Sequence, residues 1–158
     1  MQLHAIFLYP EKAKAIRRSG FVIDKVCPVV LRNQNQEILL FKHPLAGVQL
    51  VKGTVEVFDE SYIIAAKREL AEESGITHVR SARYLCSWDR GFQNQVWHFV
   101  LCECADLANS WLFHTQDDGG HDFAFFWHDV ESGLPANAHT VFQRGLEKVR
   151  ELINQGVI

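Results

Sequence analysis

No apolar run in the 158-residue sequence approaches the roughly 20 residues that a bilayer-spanning helix needs, because Lys, Arg, Asp or Gln interrupts each one. A membrane span is not expected. The start, MQLHAIFLYPEKAKAIRRSG, carries its positive charges after the apolar piece and lacks a small-residue cleavage site, the reverse of a secretory signal. The expected compartment is the cytoplasm. Cysteine is sparse: Cys27, Cys86, Cys102 and Cys104 form no CxxC pair, so buried free thiols are expected rather than a disulfide framework. Cys102 and Cys104 would share a strand face, but no third and fourth ligand stands at zinc spacing. An excess of one charge is missing too, since 16 basic and 19 acidic residues leave a net charge of -3. That balance argues against a nucleic-acid-coating or polybasic membrane surface. Repeats and low-complexity tracts are absent. What remains is an ordinary globular composition, 47% hydrophobic and 22% charged, at a length that suits one domain over residues 1–158.

Val22 to Leu31 is rich in branched apolar residues and contains Pro28, which predicts a strand with a bulge or an edge position. Polar residues 33–36 followed by apolar Glu37 to Lys42 predict a hairpin, and a short apolar piece, Val48 to Val51, leads into a loop at Lys52 and Gly53. Residues 61–74 lack Gly and Pro and are rich in helix formers. Asp59 or Ser61 can cap that helix at its start, and Gly75 can close its end. Two strand-like runs, 82–89 and 95–104, join around Gly91, and the second, apolar on both faces, is expected to be central. The stretch 106–120 reads as loop apart from a short apolar patch at 111–113, and 123–127 as another strand. Phe142, Leu146, Val149 and Ile153 at helical spacing predict a second helix over about 138–154. Strands around one internal and one terminal helix give a layered α/β or α+β domain.

The segment from Gly53 to Ile76, GTVEVFDESYIIAAKRELAEESGI, carries the chemistry. Glu69, Glu72 and Glu73 stand at i, i+3 and i+4, so on a helix their carboxylates project from one face within a turn, an arrangement that repels itself. A hard divalent cation, Mg2+ or Mn2+, would relieve the repulsion. Arg68 can pair with Glu72 or with Glu60 ahead of the helix, and small Ala65 and Ala66 would leave room above the metal.

The order of these residues resembles the Nudix box, whose pattern is Gly, five residues, Glu, seven residues, then Arg-Glu-U-x-Glu-Glu-x-Gly-U with U apolar. Glu60, Arg68, Glu69, Leu70, Glu72, Glu73, Gly75 and Ile76 stand at that spacing. The departure is that six residues, not five, separate Gly53 from Glu60, with VFD where the family often has a Pro-Gly turn. Asp59 could substitute for Glu60 at the cost of the seven-residue spacing. The resemblance implies an α/β/α sandwich around a mixed sheet. It also implies metal-dependent hydrolysis of a nucleoside diphosphate linked to another moiety. By the same resemblance Glu69, Glu72 and Glu73 are metal ligands, with the Gly53 backbone carbonyl a further one. Glu69, Arg68 and Glu60 form the catalytic set, with Glu69 or a loop acid as general base, the candidate loop carrying Asp117, Asp118, His121 and Asp122.

For the substrate, the Lys52-Gly53 lead-in looks like that of Nudix enzymes acting on dinucleoside polyphosphates. The tyrosine that those enzymes often carry beyond the box is missing, as is the proline associated with ADP-ribose hydrolases. Lys42, His43 and Lys52 could meet phosphates, and Trp88 and Phe92, flanking a predicted loop, could stack on a base. The implied partner is a small nucleotide or diphosphate substrate, with neither nucleic acid nor membrane, and a homodimer is allowed. The alternatives are a Nudix-like binding module without turnover, an isoprenoid-diphosphate isomerase and a structural module with an acidic helix. Between Glu56 and Glu73 lie six acids and two bases, a local net of -4 that leaves the rest of the chain at +1.

Overall fold

A computed structural model describes residues 22–89, 91–116 and 119–158. Residues 1–21, Arg90, Asp117 and Asp118 lie outside them. The elements run β1 (Ile23–Val29), β2 (Leu31–Arg32), β3 (Glu37–His43), β4 (Gly47–Gln49), β5 (Gly53–Thr54), α1 (Tyr62–Ser74), β6 (Ser81–Asp89), β7 (Gln95–Glu103), β8 (Ser110–Thr115), β9 (His121–Asp129) and α2 (Thr140–Asn154). Among the described residues no helix is long and apolar enough to cross a membrane.

The strands form a mixed sheet in the order β5-β1-β7-β6, with β1 and β7 parallel, and an antiparallel sheet β2-β3-β9-β8 with β4 also paired to β3. Strands buried on both sides read as near-continuous apolar runs. In β3, Leu39 and Phe41 join the core under α1, while Ile38 and Leu40 join the core under α2. The central β7 divides likewise, Val100 and Cys102 on the α1 side and Trp97 and Phe99 on the α2 side. The two helices thus cover opposite faces of the strand layer, the expected α/β/α arrangement around a mixed sheet. The second, antiparallel sheet was not expected.

Pro28 lies in β1 beyond the end of its pairing with β5, so on that side it holds the expected edge position, while β7 pairs with it on the other. Ile23 donates its N–H to Asn94 of the β7 side at 2.8 Å, and Asp24 accepts from Val55 on the β5 side at 3.0 Å. Alternation therefore turns the nitrogen of Pro28 toward β5, whose pairing with β1 has already ended at Val26. No ladder bond is lost.

The 106–120 stretch is the main departure, because it contains β8, paired with β9 along its whole length. Exposed Leu112, at 71%, breaks the apolar-in, polar-out alternation by which the strand could have been read. β8 fixes the end of α1, where Trp111 Nε1 donates to the Ser74 carbonyl at 3.0 Å and Thr115 Oγ1 to the Glu72 carbonyl at 3.1 Å. Both carbonyls belong to the last turn, which has no intrahelical donors. At the other end the cap is Ser61, whose Oγ accepts from Ile64 N at 3.1 Å. Gly75, at φ 78°, closes the helix in the left-handed conformation, and a Cβ there would lie 2.6 Å from the Phe113 ring.

Ala65 and Ala66 are fully buried in the core, so their small size serves close helix-to-sheet contact rather than space over a metal. Cys27 and Cys102 are buried and all four cysteines are free. Burial pushes the Cys27 thiol well above its ordinary range and that of Cys102 up to about 12. Ser61→Ala is expected to lower unfolding free energy by about 1 kcal/mol in urea denaturation. Gly75→Ala, which adds a clash to an unfavourable φ, should cost more than that.

Candidate active site

The buried stripe of α1 comprises Tyr62, Ala65, Ala66, Glu69, Leu70 and Ser74. Glu69, only 6% exposed, is the member of that stripe that emerges from the core into a cavity of about 480 Å³. Gly53, Glu72, Glu73, Arg68 and Lys52 line the same cavity, so every predicted metal ligand meets there. Gly53 belongs to β5, and a Cβ built on it would fall 1.8 Å from the carboxyl carbon of Glu69. Only glycine lets strand and carboxylate come this close.

Arg68 organises the acids. Its Nε and Nη2 donate to Asp59 Oδ1 and Oδ2 at 3.0 and 2.7 Å, a two-point fork onto a carboxylate that is 2% exposed. Nη1 donates to Glu69 Oε1 at 2.8 Å and Glu72 Oε2 at 3.1 Å, and Nη2 also reaches the Thr54 carbonyl at 3.0 Å. Hydrogen bonding to Asp59 raises the guanidinium pKa further above its ordinary value, with burial opposing and Glu69 assisting.

The acid that Arg68 grips is therefore Asp59 and not Glu60, which is exposed. Five residues separate Gly53 from Asp59, so the glycine-to-acid spacing of the box is met and the additional residue falls between Asp59 and Arg68. Asp59 precedes the helix, where no helical period dictates which side chain faces Arg68. Its Oδ2 also accepts from Glu56 N at 2.8 Å, tying the loop into a turn.

Lys52 reaches the cavity from the other side of Gly53. Its Nζ lies 3.3 Å from Gln95 Oε1 and 4.6, 5.3 and 5.6 Å from the ring centroids of Trp97, Phe142 and Phe92. Burial, and then the neighbouring charge of Lys25, pull its pKa down to about 8. Lys25, not singled out from the sequence, lines the cavity as well and donates to Thr54 Oγ1 at 2.6 Å. Its signal was a lysine, next to Asp24, in a strand whose other residues are apolar or proline.

Trp88 is not brought to this site. It is 7% exposed, packs on Trp97 and Phe99, and borders a separate cleft with Arg144, Glu147, Lys148 and Glu151. Phe92 touches Lys52 and packs on the α2-side core without lining the cavity. Lys42 is exposed, and buried His43 accepts the Leu45 and Ala46 N–H groups on Nδ1 at 3.0 and 3.1 Å, which makes it a turn cap. Of the loop acids, Asp122 pairs with His114 at 2.8 Å, and Asp117 and Asp118 are outside the described residues. The Thr115 bond to Glu72 does start that loop beside the carboxylates.

The donors fit a hard divalent cation in chemistry: three carboxylates within one helical turn, one of them pressed against a glycine backbone. Arg68 Nη1 now bridges two of them, and among the described residues no three His, Cys, Asp or Glu side chains are gathered closely enough to hold an ion as they stand.

A family model described as NUDIX domain matches residues 24–147. The NUDIX domain of Shewanella oneidensis NrtR, solved in complex with ADP ribose, superposes with a TM-score of 0.62 at 18% identity, covering 89% of this chain and 96% of that one. A NUDIX hydrolase from Nitrosomonas europaea gives 0.63 at 20% identity, covering 88% and 76%. An ADP compounds hydrolase gives 0.60 at 18% identity, covering 90% and 79%. No curated protein matches the chain.

Asp59→Asn leaves the half-buried guanidinium without its main counter-charge and is expected to cost about 2–3 kcal/mol, below the usual loss for a fully buried pair because Glu69 and Glu72 remain. Glu60→Gln should change stability by no more than about 0.5 kcal/mol in the same urea titration.

Proposed function

The chain belongs to the NUDIX family, and on that premise we propose that it hydrolyses the pyrophosphate bond of a nucleoside diphosphate linked to another moiety, with Mg2+ or Mn2+ held by Glu69, Glu72, Glu73 and the Gly53 carbonyl. The observation that carries this reading is the single cavity lined by those acids and by Lys25 and Lys52. It offers groups for a cation and for phosphate oxygens side by side.

When bound, the cation supplies neutralisation of the charge that develops on the phosphoryl oxygens. The protein's part is mostly positioning, as suits phosphoryl substitution. Arg68, anchored by Asp59, holds Glu69 and Glu72 at fixed distances from the backbone at Thr54. Lys52 and Lys25 face the phosphate chain and screen it. Glu69, or an acid of the 117–122 loop, accepts the proton of the attacking water.

Two of the solved neighbours are named for ADP ribose and for ADP compounds, which supports a nucleotide joined through diphosphate. The finer reading, a dinucleoside polyphosphate, draws on the Lys52-Gly53 lead-in and on a second lysine at the same cavity, which suits additional phosphates. A binding module without turnover is the reading favoured by the Arg68 bridge between Glu69 and Glu72.

A panel of ADP-ribose and dinucleoside polyphosphates assayed with Mg2+ or Mn2+ separates the two. Metal-dependent release of a phosphorylated product is expected, falling at least about 100-fold in Glu73→Gln. Unchanged turnover in that variant overturns the assigned mechanism, and tight nucleotide binding with no hydrolysis establishes the module. Gly53→Ala should lose activity on a similar scale, because its methyl group must displace the Glu69 carboxylate.

A further inference from the structure

Val57, 97% exposed, and Phe58, 68% exposed, stand side by side in the loop between β5 and α1. Two such apolar side chains in water contribute little to folding. The loop is not slack. Asp59 N donates to the Glu56 carbonyl at 3.1 Å, Glu56 N returns to Asp59 Oδ2 at 2.8 Å, and the same carboxylate is forked by Arg68. Phe58, the residue before Asp59, is held by this turn against the cavity, with the Arg68 guanidinium carbon 5.4 Å from its ring centroid.

Among the described residues that line the cavity, Phe58 supplies the one apolar side chain, the others being glycine, threonine or charged. A phenyl ring holds neither a cation nor a phosphate. What it offers is a flat apolar face, here backed by a guanidinium that also favours the electron-rich ring. The cavity volume of about 480 Å³ lies within the range of small-molecule sites.

We propose that Phe58 is a specificity-determining residue on which the base of the nucleotide substrate stacks at the mouth of the cavity. This rests on the diphosphate-hydrolase reading, since phosphates seated by Lys25 and Lys52 are what carry a base to the ring. Stacking reads the presence of a π-face and not the identity of the base. Phe58 therefore selects nucleotides over non-aromatic diphosphates without distinguishing adenine from guanine. Val57 does not line the cavity and takes no part.

The test is calorimetric binding of ADP, GDP and inorganic pyrophosphate, in Mg2+, to the native chain and to Phe58→Ala, Phe58→Trp and Val57→Ala. Phe58→Ala is expected to weaken ADP and GDP alike by about tenfold, the scale of one lost stacking contact, and to leave pyrophosphate within about twofold. Phe58→Trp should restore nucleotide affinity, and Val57→Ala should match the native chain. Unchanged ADP affinity in Phe58→Ala, or an equal loss for ADP and pyrophosphate, overturns the stacking role while the hydrolase reading still stands on Glu73→Gln. Failure of the native chain to bind any of the three, with no turnover, overturns both. If Phe58→Ala turns a dimer into a monomer in sedimentation velocity with ADP affinity unchanged, the ring covers a second copy and the proposal falls.

Discussion

The fork from Arg68 to Asp59 is the interaction on which the site depends. A guanidinium has five donors in one plane, and here they are divided among a buried carboxylate, two helix glutamates and the Thr54 carbonyl. One side chain thus connects the strand β5, the loop that follows it and the helix α1. A lysine, with its single charge centre, could not span these partners in the same geometry. The repulsion within the glutamate cluster, which would be a defect on an ordinary helix, becomes tolerable because a fixed cation stands among the acids.

The helix that carries this cluster is held from three directions. Ser61 caps its start, its alanine-rich stripe presses on the mixed sheet, and the β8–β9 hairpin supplies donors to its final carbonyls through Trp111 and Thr115. The two sheets are tied together there, because the core under α1 draws on both and the second also terminates the helix. Glu72 sits at that junction, with its side chain at Arg68 and its carbonyl at Thr115. The hairpin is thereby joined directly to the helical turn that carries Glu72 and Glu73.

What could be read from the sequence was what local rules govern. Helix α1 declared itself through Ser61, Gly75 and an uninterrupted run of helix formers, and the i, i+3, i+4 glutamates followed from the helical period alone. Glu60 was chosen over Asp59 by counting back from Arg68, a rule that fails outside the helix, where the turn at Glu56 decides which carboxylate faces inward. Strand β8 was hidden by exposed Leu112, and the second sheet because pairing between β3 and β9 joins residues far apart in the chain. Trp88 was read as a ligand contact because it flanks a loop, but in β6 its ring turns into the α2-side core. Lys25 escaped notice because its partner, Thr54, comes from a strand too short to be predicted.

The surroundings of Lys52 have a consequence for how a mixed-charge cavity can exist at all. Acids and bases placed in one small volume tend to cancel each other as internal ion pairs, which would leave nothing for a ligand of either sign. Here the ammonium group is held by a neutral amide, Gln95, and by the faces of Trp97, Phe142 and Phe92. Gln95 is itself oriented by the buried Trp97 Nε1 at 2.9 Å. Aromatic quadrupoles steady a cation without consuming a carboxylate. The C-terminal helix, through Phe142, thereby helps to hold the Lys52 charge at the cavity while Arg68 takes the ion pairs with Asp59, Glu69 and Glu72.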